Sequence, residues 1–269
     1  MSVLISEQTR VLIHGITGSE GKLLAGRMLD HHTSVVGGIS PGKGGEWVLD
    51  GKIPVFDSVH NAVEATGANT AVITVPARFA KDALFECANA KIPLVVCTTE
   101  SIPLKDMMLV RQYYEKHHIK LLGPSSPGIF SPGHAMIGAF PCMEVKFGSI
   151  GIVSRSGSLT YEVINTLKAA EIGISTCVGV GAAPVHGVGF IEVLDMMQMD
   201  HHTERIILIG NVDGAEEIEA LNYAARNITK PIIVYLYGFY RANGFEPDVI
   251  LREFPLARTF GEIIQVIQP

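Results

Sequence analysis

A glycine-rich turn near the start of the chain has the spacing that a phosphate group requires. The apolar run 10–14 leads into residues 15–21, GITGSEG, and helical periodicity begins directly afterwards. Glycines permit a tight turn and close approach of the backbone, while the free N–H groups and the dipole of a helix start favour an anion. The GxxGxxG pattern therefore indicates a nucleotide phosphate site, with a tight turn that binds nothing as the alternative.

A lysine between glycines follows the second apolar run. Residues 35–39 lead into SPGKGG at 40–45, which places Lys43 where the adenosine ribose of a bound dinucleotide would lie. Folds that bind NAD usually carry a carboxylate there for the ribose 2′-hydroxyl, and no acid is present here. A cation suits a phosphorylated ribose, as in NADP or coenzyme A, and a solvated loop lysine is the alternative.

Two further apolar runs end in polar turns. VPAR occupies 75–78 after one predicted strand, and Thr98, Thr99 and Glu100 follow another. Ligands in open α/β sheets bind at the carboxyl ends of the strands, so we expect these three side chains to line the same crevice. The alternative for Thr99 is the N-cap of the next helix.

Short β-branched runs alternate with stretches of helical period, and these elements would position the polar turns. Strands are predicted at 10–14, 34–39, 70–75, 93–97 and 119–122 and, beyond the turn-rich segment 123–133, at 149–153, 175–180, 205–209 and 231–235. Helices are predicted at 20–29, 58–66, 78–90, 104–117, 158–170, 189–199, 214–227 and 259–267. The pattern predicts an α/β protein of two doubly wound domains, 1–124 and 125–269, each with a parallel sheet covered on both faces.

Composition narrows the class of protein. Of 269 residues, 47% are hydrophobic and 18% charged, which favours a large core and excludes disorder. The net charge is −6 and no long basic run occurs, which argues against a broad nucleic-acid surface. Four cysteines without CxxC spacing are predicted to be reduced thiols, and the adjacent histidine pairs predict no metal site. Without a leader or a long apolar run, a cytoplasmic location away from membranes is expected, with an organelle matrix as the alternative.

Several spaced motifs in one order resemble the α subunit of succinyl-CoA synthetase. They are GxTGxxG at 15–21, PGKGG at 41–45, VPxxF at 75–79, TTExIP at 99–103, GPxxPG at 123–128 and SRSGSLTYE at 154–162. The resemblance implies a Rossmann-like coenzyme A-binding domain, followed by a flavodoxin-like ligase domain that is truncated near its C-terminus. It also implies an ATP-grasp β subunit as the partner, with a second copy of this chain as the alternative.

The resemblance also implies roles for particular residues. Contacts with coenzyme A are implied for Thr17, Gly18, Ser19, Glu20, Lys43, Thr98, Thr99 and Glu100. Tyr161 matches a tyrosine associated with the organic acid, and Ser156-Gly157-Ser158 opens a helix whose N-terminus faces phosphate. A helix start rich in hydroxyl groups and glycine suits an anion, and an ordinary capped helix is the alternative. This helix start and segment 123–133 are expected to face the partner.

Three departures from the family fall near its reaction centre. The family passes phosphate through a histidine in a GHAGA loop, but the matching stretch, GFYRANGF at 238–245, has no histidine. The family's GExGG, whose glutamate partners that histidine, reads GNVDG at 210–214, so Asn211 replaces the carboxylate. The family's Asn-Cys reads Ser125-Ser126. No residue of this chain is therefore assigned a catalytic role.

Two other histidines invite comparison with the missing one. His134 begins a GHA sequence, but it lies before the strands of the second domain, so we interpret the likeness as coincidence. His186 lies in a loop, 183–187, that the family places nearer the phosphate. A surrogate phosphate carrier is one hypothesis for His186, and an ordinary loop histidine is the other.

The residues leave three functions to compare. The first is a subunit of an acid–CoA ligase that works by an altered route, for instance direct attack on an acyl phosphate made by a partner. The second is a non-catalytic protein that binds coenzyme A or acyl-CoA, or regulates through it. The third, an NADP-dependent oxidoreductase, is disfavoured because no general acid or substrate motif accompanies Lys43. The sequence identifies neither the organic acid nor the partner.

Overall fold

The first half of the chain forms one seven-stranded sheet. The computed structural model describes residues 3–141, 144–211, 214–238 and 249–268. The strands of this sheet are β1 (Val11–His14), β2 (Val35–Ile39), β3 (Trp47–Val48), β4 (Ile53–Phe56), β5 (Thr70–Ile73), β6 (Leu94–Cys97) and β7 (Lys120–Leu122). The helices between them are α1 (Ser19–Asp30), α2 (Val59–Thr66), α3 (Ala77–Asn89) and α4 (Leu104–Lys116).

The strand order of the first sheet identifies its fold. The order is β3-β4-β2-β1-β5-β6-β7, and all neighbours are parallel except β3 and β4. Counting only the six parallel strands along the chain, the order across the sheet is 3-2-1-4-5-6, which is that of a Rossmann fold. Every residue of β1, β5 and β6 is buried, as expected of strands covered on both faces. The prediction of a Rossmann-like first half is confirmed.

A second seven-stranded sheet follows. Its strands are β8 (Gly128–Ser131), β9 (Ala135–Gly138), β10 (Phe147–Ser154), β11 (Ile174–Gly179), β12 (Arg205–Asn211), β13 (Ile232–Tyr237) and β14 (Leu256–Ala257). The helices are α5 (Gly157–Ala169), α6 (Phe190–Met199), α7 (Ala215–Asn227) and α8 (Phe260–Ile267), with a 3₁₀ helix at Val249–Glu253. The order is β14-β13-β12-β10-β11-β8-β9, so the five parallel strands run 2-1-3-4-5, which is the flavodoxin-like order.

The antiparallel pair β8–β9 begins in segment 123–133, which was predicted to be a turn-rich boundary that faces a partner. Four of its residues form β8, which pairs with β11 inside the second sheet, and Ile129 and Phe130 are buried. Gly128 and Gly138 lie opposite each other, and a Cβ on Gly128 would stand 1.9 Å from the carbonyl oxygen of Ile137. The glycines that suggested turns thus allow two strands to approach closely.

The two halves pack against each other. The hydroxyl of Thr33, just after α1, donates to the Met136 carbonyl oxygen at 2.9 Å and accepts from the Met136 N–H at 2.9 Å. Buried apolar residues of both sheets belong to one continuous cluster. Cys87, Cys97 and Cys177 are buried free thiols, and Cys142 lies outside the described residues. In the described parts of the chain, each helix is too short or too polar to cross a membrane.

Candidate functional site

The turn 15–21 is shaped by its glycines. Gly15 has φ +96° and Gly18 caps α1, donating its N–H to the Gly15 carbonyl oxygen at 3.0 Å. A Cβ on Gly21 would stand 2.3 Å from that same oxygen, so only glycine lets the helix pack this close to the strand. The hydroxyl of Thr17 hydrogen-bonds that of Ser40 at 2.9 Å, which ties the turn to the end of β2. The turn thus presents a helix start at the sheet edge where anions bind.

A cavity of about 450 Å³, the small cavity, lies beside this turn. It is bounded by the ends of β1, β2 and β5 and by one face of α3. Thr17 and Lys43, both implied as coenzyme A contacts, line it. Its lining residues are His14, Gly15, Thr17, Ile39, Ser40, Pro41, Lys43, Val75, Pro76, Phe79, Asp82, Ala83 and Glu86.

The loop that carries Lys43 is held by a residue that sequence reasoning missed. Asp57 accepts hydrogen bonds from the N–H groups of Gly42, at 2.7 Å, and Gly44, at 2.9 Å. These bonds fix the backbone on both sides of Lys43, while the Lys43 side chain stays exposed. Nothing local marks Asp57 in the sequence, because it reaches the loop from beyond β4.

A histidine–carboxylate pair at the small cavity was also missed. His14 Nε2 lies 3.0 Å from Glu86 Oε2, and Glu86 Oε1 accepts the N–H of Val59 at 2.7 Å. Burial opposes ionisation of Glu86, but the hydrogen bonds from His14 and Val59 outweigh it and lower the pKa of Glu86. Glu86 is therefore an ionised acceptor that joins the end of β1 to the start of α2.

A larger cavity of about 960 Å³, the large cavity, lies where carboxyl ends of both sheets meet. The turns after β5, β6 and β10 supply most of its wall. Among the residues named from the sequence, the following line it: Glu20, Thr98, Thr99, Glu100, Ser125, Ser126, Ser156, Gly157, Ser158 and Tyr161. Val75 and Pro76 line both cavities, so the two share a wall.

The polar turn after β6 is built into the sheet edge. The hydroxyl of Thr98 donates to the Ile73 carbonyl oxygen at 3.1 Å, and that of Thr99 donates to the Val75 carbonyl oxygen at 2.8 Å. The N-cap of α4 is Pro103, so the alternative of Thr99 as N-cap is wrong. The threonines instead hold the wall that separates the two cavities.

The start of α5 contributes hydroxyl groups to the large cavity. Ser156 caps the helix by accepting the N–H of Leu159 at 3.4 Å, and the hydroxyl of Ser158 lies 3.4 Å from that of Ser156. The hydroxyl of Tyr161 donates to the Ala139 carbonyl oxygen at 2.8 Å, and burial raises the pKa of Tyr161. Capping and cavity lining thus coexist at this helix start. Tyr237, at the end of β13, also lines the cavity and was missed by sequence reasoning.

A charged network adjoins the large cavity. Arg155 lines the cavity and pairs with Glu216 and, at 3.1 Å, with Glu217. Glu217 is 1% exposed and accepts the N–H of Asn211 at 2.9 Å. His186 Nε2 lies 2.9 Å from Glu216 Oε2. Burial raises the pKa of Glu216, but the interactions with His186 and Arg155 outweigh burial and lower it. Two carboxylates at the start of α7 therefore neutralise the arginine.

His186 lies behind Arg155 in this network and does not line the large cavity. It is 7% exposed and is engaged by Glu216, which also pairs with Arg155. Asn211, which matches the family's carboxylate position, does not line the large cavity either, and Gly18 and Ser19 line neither cavity. Asp213 and residues 239–248, which include most of the stretch matching the family's histidine loop, lie outside the described residues.

Comparison with known families agrees with the two sheets. A family model described as a CoA binding domain matches residues 6–101, and a model described as a succinyl-CoA ligase like flavodoxin domain matches residues 147–244. The succinate–CoA ligase [ADP-forming] subunit alpha of Aquifex aeolicus is 47% identical over 91% of this chain and 80% of that protein. Subunit alpha 1 of the same enzyme from Archaeoglobus fulgidus is 44% identical over 88% of this chain and 81% of its own length.

Solved structures share the fold at lower identity. ATP citrate lyase from Methanothrix soehngenii, in complex with citrate and coenzyme A, has a TM-score of 0.84 at 19% identity and matches 98% of this chain. This chain spans only 50% of that one. A dinucleotide-forming acetyl-coenzyme A synthetase 1 from Ca. Korarchaeum cryptofilum has a TM-score of 0.76 at 20% identity, over 94% of this chain and 58% of that one.

Proposed function

Because the chain belongs to the family of succinate–CoA ligase α subunits, we propose that it binds coenzyme A along both cavities and serves an acid–CoA ligase without a histidine relay. The observation that carries this proposal is the wall at Val75 and Pro76 that the two cavities share. One end of the path holds Lys43 and the turn 15–21, and the other holds the start of α5 and Tyr161.

Coenzyme A matches this path in shape and in charge. Its adenosine and phosphates belong in the small cavity, where the helix start of α1 and the ammonium of Lys43 favour anions. Its pantetheine arm then passes Val75 and Pro76 and brings the thiol into the large cavity. Thr98, Thr99 and Glu100 flank the arm, and the fixed hydroxyl of Thr99 keeps the shared wall in place.

The large cavity is suited to an acyl phosphate. The N–H groups and hydroxyls at the start of α5 favour its phosphate, and the Tyr161 ring borders its acyl part. The thiolate sulfur attacks the acyl carbon, so a C–S bond forms and the C–O bond to phosphate breaks. Phosphate departs with the electron pair, and the thiol proton goes to it through solvent. This route needs no phosphate carrier on this chain.

The acyl phosphate would come from an ATP-grasp partner. The names of the relatives describe subunits, which supports a partner chain of this kind. The start of α5 is half-buried to exposed in this chain and forms part of the proposed docking surface. A cytoplasmic location and the division into domains at 124/125 belong to the same proposal.

The test is a ligation assay with the co-expressed partner. The purified complex is given ATP, coenzyme A and succinate, the acid named for the relatives, and thioester formation is followed. ATP-dependent thioester without a phosphorylated form of this chain would support the proposal. If calorimetry shows that coenzyme A binds but no thioester forms with the acids tried, the ligase part fails and binding alone remains.

A further inference from the structure

We propose that the small cavity recognises the base of its nucleotide as a 6-aminopurine, with the Asp82 carboxylate accepting the exocyclic amine. This inference rests on the proposed function, because it assigns the adenosine end of coenzyme A to this cavity. It concerns residues outside the phosphate turn, namely one face of α3 and the end of β1.

One face of α3 forms a wall of the small cavity. Phe79, Asp82, Ala83 and Glu86 are spaced i, i+3, i+4 and i+7, and all four line the small cavity. Ala83 is 3% exposed and contributes a short apolar side chain to this wall. Ile39 and Val75 complete apolar walls of a kind that accommodate a flat ring.

Phe79 is exposed where a helix of this kind usually carries a polar side chain. The ring is 51% exposed, and the guanidinium of Arg78 lies 4.6 Å from its centroid. Phe79 lines the small cavity, so a ligand bound there contacts its ring. Aromatic rings stack well on nucleobases because every base has a π face.

The Asp82 carboxylate supplies a hydrogen-bond acceptor on this wall. It is exposed and has no hydrogen-bond or ion-pair partner among the described residues. Glu86 is an ionised acceptor, so His14 donates to it through Nε2 at 3.0 Å. His14 Nδ1 is buried beside the cavity and has no hydrogen-bond partner in the described structure.

Donors and the acceptor on the small cavity come from different elements. Lys43 and Thr17 offer donors to phosphate oxygens, while Asp82 on α3 offers an acceptor. The exocyclic amine of adenine supplies two N–H donors, and a carboxylate binds such a donor. A base that lacks this amine leaves the Asp82 carboxylate unpaired in the complex, which lowers affinity.

The experiment compares coenzyme A with 1,N6-etheno-coenzyme A, in which a ring closure removes both N–H donors. Isothermal titration measures each ligand with the full-length wild-type chain, Asp82→Ala and Glu219→Ala. Glu219 is an exposed helical carboxylate that lines neither cavity, so Glu219→Ala is the matched control. For the wild type and the control we expect etheno-coenzyme A to bind roughly tenfold or more weakly.

Asp82→Ala separates hydrogen bonding from the added bulk of the etheno ring. We expect it to weaken coenzyme A and leave the etheno compound unchanged, so the ratio of the two affinities falls towards one. Equal affinities in the wild type, or an equal loss of both ligands in Asp82→Ala, would overturn this inference and leave the proposed function intact. Absence of binding by coenzyme A itself would instead overturn the proposed function and this inference with it.

Discussion

Lys43 is the one lysine or arginine among the residues that line the small cavity. Its loop is fixed on both sides by the hydrogen bonds that Asp57 accepts, so the ammonium is presented from a set backbone. A charge-assisted contact with phosphate contributes about 1.5–3 kcal/mol. We therefore expect Lys43→Ala to weaken coenzyme A binding by roughly tenfold or more, measured by isothermal titration.

Two comparisons locate the phosphate that Lys43 contacts. Lys52→Ala, in an exposed turn away from both cavities, should leave the affinity unchanged. The effect of Lys43→Ala should largely disappear with 3′-dephospho-coenzyme A, since that ligand lacks the ribose phosphate. An unchanged affinity for coenzyme A would make Lys43 a solvated loop lysine.

His186 is the residue to examine if this chain takes up phosphate. It is 7% exposed and its Nε2 is engaged by Glu216, so neither access nor a free nitrogen at that position favours attack on phosphate. We expect no acid-labile, base-stable phosphate on the chain after incubation with labelled ATP and the ATP-grasp partner. Label that persists in wild type and is lost in His186→Gln would contradict this and assign the carrier.

Local motifs predicted some of the residues at both cavities and missed others. Thr17, Lys43 and Ser156 follow strands within a few residues, so glycine turns and helix starts marked them. Glu86 reaches His14 across 72 residues, and Glu216 reaches Arg155 across 61, so no local pattern brings these pairs together. Their partners become visible only when the strand order is known.

At the scale of elements, carboxylates in the first turn of α7 connect this helix to neighbouring elements. Glu216 joins Arg155, which follows β10, and His186, in the loop before α6. The folded-state pKa of Glu216 lies below the usual glutamate value of 4.5. Burial opposes this shift, and the interactions with His186 and Arg155 outweigh burial. Glu216 therefore stabilises the fold above about pH 4.5, and this contribution is lost as pH falls through the lowered pKa.

We accordingly expect Glu216→Gln to lower the free energy of unfolding at neutral pH. The difference from wild type should shrink as the pH falls below about 4.5, because wild-type Glu216 then becomes protonated. Urea denaturation across a pH series measures it. Glu219→Gln, on the same helix and without an ion pair in the described structure, should show no such trend. A constant difference at all pH values would mean that the loss is one of packing.

Elements with a clear apolar pattern were predicted well, and several others were not. The helix predicted at 158–170 is α5 (Gly157–Ala169), and the strand predicted at 205–209 covers most of β12. The strands β3, β4, β8, β9 and β14, of two to four residues each, were not predicted, whereas β1, β5, β6 and β7 are as short but were recognised as apolar runs. In β8 and β9 the glycines that allow close strand contact, with the prolines beside β8, also signal turns, so they indicated a boundary.

At the scale of the molecule, the hydroxyl of Thr33 is one of several groups that join the two halves; Leu121, in β7, also accepts the N–H of Val188 at 2.7 Å. Thr33 donates to and accepts from the backbone of Met136, and it is 3% exposed. In Thr33→Val a methyl replaces the hydroxyl and leaves two backbone groups of Met136 without this partner. We expect a loss of about 1–3 kcal/mol in the free energy of unfolding, measured by chemical denaturation.

Thr166→Val is the matched control for that change. The hydroxyl of Thr166 donates to the Glu162 carbonyl oxygen in an exposed hydrogen bond within α5, so the loss there should stay within about 0.5 kcal/mol. Because one apolar cluster includes residues of both sheets, a single transition is expected for wild type, and saturating coenzyme A should raise its midpoint as a whole. Two separate transitions would show that the halves unfold independently. No loss in Thr33→Val would show that this hydroxyl does not stabilise the fold.

The two α/β sheets could be predicted from the sequence, but their placement relative to each other could not. The alternation of strands and helices and the spaced motifs indicated each sheet separately. The turns after β5, β6 and β10 meet at one cavity because the two halves pack together through contacts such as that between Thr33 and Met136. No periodicity in the sequence encodes such contacts.

The wall at Val75 and Pro76 has a further consequence for any long ligand that spans both cavities. A molecule anchored at its adenosine end behaves as a tether, and its thiol samples only the small volume that the arm can reach. The effective concentration of the thiol beside an acyl group is then set by the length of the arm rather than by a direct contact with the sulfur. Affinity gathered at one end of the molecule can in this way accelerate a reaction at the other.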